Sequence, residues 1–500
     1  MLKRIKQAIT ARLATTSSAA ASGRRVVARW DAAQTTSSNA KHWAMADHLS
    51  ADAATSPDVR ATLRARSRYE AANNSYARGI VDTLANYVVG TGPRLQVQLE
   101  DDPDGEAARR IERSFARWAE SIDLAEKLRS MRVAQAESGE VFGVMLTNPR
   151  LDGVQLDLRL IEADQITSPA AAVQVDPRLV DGVVHDDQGN PRLYHVLKHH
   201  PGDARGAGGF GEFDELPAEQ VLHLYRPVRP GQSRGVPDLT PALPLFALLR
   251  RYTLAVCGSA EQAALVGGVI YTDMPAGGEA DDVEPLDQVE LERNEWWTMP
   301  KGYKALQIKA EQPTTQYGEF HRQVLNEIAR CLNMPFNIAA GNSSDYNYAS
   351  GRLDHQTFFK SLKIDQQRLV RVVLDPLFRA WLSEASLVEG LLPQQLRTPE
   401  AARGVVHQWF WPGLEHVDPI KEATAQEKRL AANTTTLAEE YARQGMDWEE
   451  QLRQRARERR LIAELAIDNE PAAAQPAGVA DDQDAPDAPD APDDEELDDD

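Results

Sequence analysis

Two helical patterns joined by a short polar stretch, between residues 316 and 388, constrain this chain more than any other feature. Phe320, Val324, Leu325, Ile328 and Leu332 recur at the three- and four-residue spacing of one helix face. Met334-Pro335 closes that run, because the residue before a proline avoids the α region, so a stop is predicted at about Asn333. Gly341, Asn342, Ser343, Ser344, Asp345 and Asn347 follow, residues that bond their own backbone or tolerate unusual dihedrals and so favour a loop. The helical pattern resumes at about Ala349, with Leu353, Phe359, Leu362, Leu369, Val370 and Val373 on one broad face. Asp375-Pro376 then removes a backbone donor, which predicts a kink or restart with Asp375 as cap and Pro376 in the first turn.

Charge becomes informative once it is partitioned. Of the net −21, twelve charges sit between Asp481 and Asp500, where no lysine or arginine occurs; removing them leaves −9 on the body. Affinity for nucleic acid comes chiefly from lysine and arginine releasing counterions. A chain of that sign is a poor general binder of nucleic acid, and any contact with DNA must be local or deliberately weak. Repeated Asp-Ala-Pro units cannot bury enough apolar surface to offset ordering entropy, so 469–500 is predicted to be an acidic disordered tail.

The other end has the opposite sign. Lys3, Arg4, Lys6, Arg12, Arg24, Arg25 and Arg29 precede the first acid, Asp31, and Leu2, Ile5, Ile9 and Leu13 share one face of a short helix. Residues 14–40 are rich in Ala, Thr and Ser, so 1–56 reads as a partly disordered basic arm. No apolar run reaches the roughly 20 residues that cross a bilayer, and a soluble intracellular protein is expected.

From Pro57 the pattern sharpens. Leu63 to Gln98 reads as a basic helix, a second helix from about Asn74 carrying Ile80, Val81, Leu84 and Val88, a stop at Gly90-Thr91-Gly92-Pro93, and a strand. Arg60, Arg64, Arg66 and Arg68 are read as a solvated face or a subunit contact. Residues 106–137 are expected to be helical with Ile111, Phe115 and Trp118 on one face. Residues 140–200 alternate as short strands, with turns at Asn148-Pro149 and Gly189-Asn190. A helix over 238–266 follows, then strand-like GGVIYTD and YKALQIK around an acidic linker and a helix near Trp296; 421–467 is again helical.

No catalytic constellation emerges. GxxxxGK[ST], HExxH and GxSxG are absent, and Gly206–Gly211 is followed by Pro217 and a strand where a dinucleotide fingerprint requires a helix. His199-His200 beside Asp203 is not read as a metal site, since neighbours on a strand point to opposite faces. Asp186-Asp187 reads as turn chemistry. Cys257 and Cys331 are read as small apolar core residues. Neither a cofactor nor a metal is expected.

Several segments, in order, resemble the portal proteins of tailed phages of the lambda type: the LRARSR and VVGTG runs between Leu63 and Gly92, SGEVFGVML (Ser138 to Leu146), LRLIEADQI (Leu158 to Ile166), DYNYASGR (Asp345 to Arg352), VDPIKEATA (Val417 to Ala425) and GMDWEEQLRQRARE (Gly445 to Glu458). The resemblance spans about Trp43 to Leu465. It implies an α+β, predominantly helical portal fold of wing, stem, clip and crown, assembled as a ring, by family habit a dodecamer. Along this chain the implied order is an α/β wing at 57–237, a first stem helix at 238–266, a clip at 267–315, a second stem helix at 316–335, a tunnel loop at 336–348, a long kinked wing helix at 349–388 and a helical crown at 389–468.

By the same resemblance, the ring would stand at a capsid vertex of the virion, made in the host bacterial cytoplasm. Its partners would be the terminase large subunit, the major capsid or scaffold protein, a head-tail adaptor and double-stranded DNA passing through without sequence specificity, with no membrane and no enzymatic activity. Asn337, Asn342, Ser343, Ser344, Tyr346 and Asn347 would be the neutral, DNA-facing groups of the tunnel loop, with Asp345 its single acid. The competing class is a metal-dependent nucleic-acid-modifying enzyme such as a nuclease, which metal-dependent cleavage would reveal.

Overall fold

A computed structural model describes residues 36–465 except 100–101, 103–104, 169–177, 204–211, 266–268, 273–302, 307–315, 345–347, 399–403 and 414–418. The basic arm before residue 36, the glycine-rich loop, the helix expected near Trp296 and the acidic tail lie outside these residues.

In chain order, α1 (Ala51–Ala54) is opened by the Ser50 side chain, which accepts from the Ala53 N–H. Pro57 starts α2 (Pro57–Asn73), and α3 (Ser75–Val89) buries Ala77, Ile80, Val81, Leu84 and Val88 before the stop at Gly90 and strand β1 (Arg94–Gln98). The helix expected over 106–137 is two, α4 (Glu106–Ser121) and α5 (Leu124–Ser138). Asp123 breaks it by adopting φ +55°, one of few side chains that tolerate the left-handed region, and both neighbours, Ile122 and Leu124, are thereby buried.

Short strands follow as expected: β2 (Glu140–Thr147), β3 (Leu156–Glu162), β4 (Leu179–Val180), β5 (Val183–His185), β6 (Pro191–Leu197), β7 (Phe213–Pro217) and β8 (Val221–Tyr225). They form one three-stranded sheet, order β3-β2-β8, and one antiparallel meander, β4-β5-β6-β7. At the β5–β6 turn the Asp186 carboxylate accepts from the Gln188 and Asn190 N–H groups at 2.9 and 2.7 Å, the turn role read from sequence. Then come α6 (Leu243–Leu265), the pair β9 (Val269–Thr272) and β10 (Tyr303–Leu306), α7 (Gln316–Arg330), α8 (Phe336–Ala340), α9 (Tyr348–Leu369), α10 (Asp375–Ala385), β11 (Val406–Phe410), α11 (Pro419–Ala431), α12 (Leu437–Arg443) and α13 (Trp448–Glu464). The fold is α+β and mostly helical. No helix among the described residues is long and apolar enough to cross a membrane.

The chain divides into two compact units. One takes in residues up to Val81, Val133–Val144 and Leu160–Tyr346; the other takes in Asp82–Arg132, Met145–Arg159 and the chain from Asn347. The first is built on Phe142, Val144, Ile161, Ile166, Val183, Tyr194, Val196 and Val221, all buried between strands. In it, α6 buries Leu243, Phe246 and Leu249, whereas from Arg250 to Glu261 it buries nothing and Leu254 is 65% exposed. Cys257 lies on that open stretch and Cys331 is half-buried beyond α7, so neither is the core residue expected. The apolar spacing around Cys257 marks a face, but among the described residues nothing buries it.

The second unit centres on an aromatic cluster. Phe115 meets Phe378, Trp381 and Trp409 edge-on at 5.4, 5.3 and 5.6 Å, and Trp381 is fully buried. β1 and β11 pair antiparallel, Arg94 opposite Phe410. The expected kink at Asp375-Pro376 is a π-helical turn, Val370–Leu374, running straight into α10. A wider turn makes room where the proline ring would meet the carbonyl four residues back. Asp375 is not the cap: its carboxylate accepts from the Trp409 indole N–H at 2.9 Å and lies 3.1 Å from His407 Nε2.

Candidate functional site

The polar connection after α7 is built by two successive helix ends of one kind. Asn333 takes φ +53°; its N–H bonds Arg330 O at 3.1 Å and the Met334 N–H reaches back to Ala329 O at 3.1 Å. This is a Schellman closure with asparagine at the left-handed position, one of the two residues that suit it. Pro335 then leads into α8, which closes identically on Gly341, φ +62°, with Asn342 N–H on Asn337 O at 3.0 Å. The stretch expected as loop from Phe336 thus begins as a short helix. Arg322 of α7 lies 5.2 Å over the Phe336 ring, and Asn337 is buried, its amide 3.4 Å from Ser343 Oγ.

Beyond α8 the polar groups turn outward. Gly341, Asn342, Ser343 and Ser344 are all exposed, and the Asn342 side-chain oxygen accepts from Ser344 N–H and Oγ–H at 3.0 and 2.6 Å. Asn342, Ser343 and Ser344 therefore form an uncharged, self-bonded turn. Tyr346 and Asn347 lie outside the described residues. Behind the turn, α6 and α7 are joined by Tyr252 stacked on Tyr317 at 5.7 Å and against Phe320 at 4.5 Å, with Thr253 Oγ1 3.2 Å from the Tyr317 hydroxyl.

A second feature was not legible in the sequence. Arg60, Arg64 and Arg68 stand one turn apart on α2 and converge on carboxylates, while Arg66 points to solvent. Arg64 bonds Asp164 at 2.8 Å and lies 3.6 Å from Glu140; Arg68 bonds Asp164 and Glu162 at 2.8 and 2.9 Å and Ser138 Oγ at 2.9 Å; Arg60 pairs with Asp181. At the centre, Arg234 and Glu140 are both fully buried and bonded at 2.7 Å, and Glu140 also accepts from Gly235 N–H at 2.8 Å and lies 2.9 Å from His223 Nε2. Four guanidinium groups thus face four carboxylates. Burial alone would raise the Glu140 pKa, but the Arg234 charge and the His223 hydrogen bond outweigh it and hold Glu140 well below the usual carboxylate range. Burial pushes the His223 pKa down against Glu140.

Two glycines admit this centre. A Cβ on Gly139, φ +89°, would stand 2.4 Å from the Val236 carbonyl carbon, and one on Gly235 would stand 2.2 Å from Gly139 O. The backbones beside Glu140 and Arg234 can therefore approach only as glycines.

Among the described residues one grouping has the donors of a metal site: Glu162, Asp164 and His200, with ligand atoms within 4.8 Å of one another. These are not the partners of His200 that the sequence suggested. The set does not fit a resident metal. Arg68 already bridges both carboxylates, and His200 Nδ1 accepts from Gly202 N–H at 3.0 Å, which leaves the neutral ring's proton on Nε2, the atom that would have to bind.

Comparison with known proteins decides the family. The sequence pattern described as "Phage portal protein, lambda family" matches residues 36–366. The chain belongs to the lambda family of phage portal proteins. A similar curated protein, a probable portal protein of Halomonas phage phiHAP-1, is 25% identical over 431 residues, 82% of each chain. Similar solved chains come from the neck of an empty gene transfer agent particle (TM-score 0.46) and the virion of a native one (0.44), each at 14% identity over 78% of this chain and 94% of the other. Within the portal match, LRARSR, SGEVFGVML and LRLIEADQI meet in one place: they supply Arg64 and Arg68, Ser138 and Glu140, and Glu162 and Asp164 of the ionic cluster. VDPIKEATA and GMDWEEQ lie beyond residue 366.

Proposed function

We propose that copies of this chain close into a hollow ring, a dodecamer, at one vertex of a phage capsid and form the conduit through which DNA is packaged and later ejected. The observation that carries this reading is the portal-family match across residues 36–366. Three features of the molecule support it. The outer half of α6 presents Leu254, exposed among the described residues, as a subunit contact would. The Gly341–Ser344 turn offers neutral hydrogen-bonding groups, suited to many weak contacts with a moving polyanion, whereas a lysine-lined constriction would hold phosphates by counterion release. Among the described residues the one grouping with metal donors is tied to Arg68, which gives no support to a nuclease.

On this reading α6 and α7 are the two stem helices, 267–315 is the clip, Asn342, Ser343 and Ser344 with Tyr346 and Asn347 face DNA in a tunnel loop, and 389–468 is the crown. Buried Asn337 holds the loop's base instead of touching DNA. The ring would meet the terminase large subunit, the major capsid or scaffold protein and a head-tail adaptor, pass double-stranded DNA without reading its sequence, and hydrolyse no nucleotide. Electron microscopy of the purified protein tests the reading: a closed ring with a central channel is expected, and a monomer at all salt and protein concentrations would overturn it.

A further inference from the structure

One side of α13 carries Trp448, Gln451 and Ile462, all half-buried, while every residue from Leu452 to Leu461 is exposed. At about 100° per residue, Arg453, Arg457 and Arg460 fall within about 60° of one another on the side away from those three, and Arg455 and Arg459 lie exposed on the same side as those three. Arg453 is bonded to Glu449 at 3.2 Å, and the acid within the arginine stretch, Glu458, is engaged by Gln454 at 3.1 Å. Among the described residues Arg457 and Arg460 meet no carboxylate. A basic row of which two members meet no carboxylate is unusual on a chain of net charge −21.

The same chain carries its complement close by. Twelve carboxylates and no cation lie between Asp481 and Asp500, and the first of them follows Glu464, the end of α13, by 17 residues. At about 3.3 Å per residue that connection spans at most about 55 Å, against about 26 Å for the whole helix, so the acidic segment can lie along the row. Tethering makes its local concentration far higher than that of any free polyanion. We propose that residues 481–500 dock on the Arg453–Arg457–Arg460 row of α13, an intrachain mimic of nucleic-acid phosphate that covers this surface. The contact is solvated, so it weakens as salt screens it.

The test uses the full chain with a fluorophore joined enzymatically to its C-terminal residue, read by fluorescence anisotropy. At about 0.05 M salt the anisotropy is expected to stand above its value at about 0.5 M, where exposed charges are screened within a few ångströms. In Arg457→Gln/Arg460→Gln it is expected to sit at the high-salt value throughout, and in Arg455→Gln/Arg459→Gln to behave as wild type. Glutamine matches arginine in helix propensity, so unchanged thermal melting will show that both variants are folded. Equal anisotropy in wild type and the Arg457/Arg460 variant overturns the proposal, as does an equal fall in both variants, which would mean attraction to net charge alone. A short DNA duplex should bind the Arg457/Arg460 variant more weakly than a chain whose twelve tail acids are replaced by Asn or Gln. Equal binding by the two would show that the row is no polyanion site.

Discussion

Glu140 is the residue on which the first unit most depends, because Arg64, Arg234, His223 and the Gly235 N–H all address its two oxygens in a place water does not reach. Removing one partner leaves the others buried and uncompensated, so Arg234→Met should lower unfolding free energy by about 3–5 kcal/mol. Urea denaturation measures it; a loss below about 1 kcal/mol, typical of exposed pairs, would mean water enters the cluster. The cluster also sets a direction for pH. His223 has a folded pKa below its unfolded value near 6.5, so from that pH downward the unfolded chain binds a proton the folded one refuses. Glu140 has a folded pKa far below its unfolded value near 4.3, so its contribution is complete above that value and drains away as acid is added. Urea midpoints should therefore fall steadily from pH 7 to 4, and His223→Gln should remove the part of the fall that begins near pH 6.5. A midpoint that rises on acidification would contradict both signs. The arginine spacing placed Arg60, Arg64 and Arg68 on one face but could not say what they face. Their carboxylates come from 76 to 121 residues away, and a solvated row reads the same as a buried one until those strands are in place.

At the level of elements, the helices and their stops were readable because proline, glycine and asparagine act locally. The expected stop at Asn333 is the Schellman closure itself. Its left-handed backbone predicts that Asn333→Ala costs about 1 kcal/mol or more while Asn333→Gly is nearly neutral; equal thermal stability of the two variants would show that the asparagine side chain, bonded to Arg330, carries the stop instead. Asp375-Pro376 announced a break but not its form. A proline constrains only what its own ring displaces, and whether the chain kinks or widens depends on the Phe115, Phe378, Trp381 and Trp409 packing that fixes α10. The burial of Asn337 was not legible for a similar reason: five residues between Pro335 and Gly341 suffice for one helical turn, but the burial depends on α7 beneath it. Cys257 erred the other way, because periodicity marks an apolar face without saying whether its own chain covers it.

For the whole molecule, the uncharged turn predicts a separation of assembly from transport. Replacing Ser343, Ser344 and Asn347 together with lysine should leave ring formation intact, since Ser343 and Ser344 are exposed and take no part in the α6–α7 packing, yet impair DNA packaging or retention in the particle. Particles that package and infect normally with such rings would show that the turn does not meet DNA. The cysteines bear on the assembly in a different way. Burial, with Asp238 nearby, pushes the Cys331 thiol up to about 12, while Cys257 stands exposed on the outer half of α6. A maleimide dye at neutral pH should thus mark each chain once. If ring closure leaves that thiol open, the number of bleaching steps in one labelled particle counts its subunits; if closure covers it, the fall in labelling rate becomes a clock for assembly.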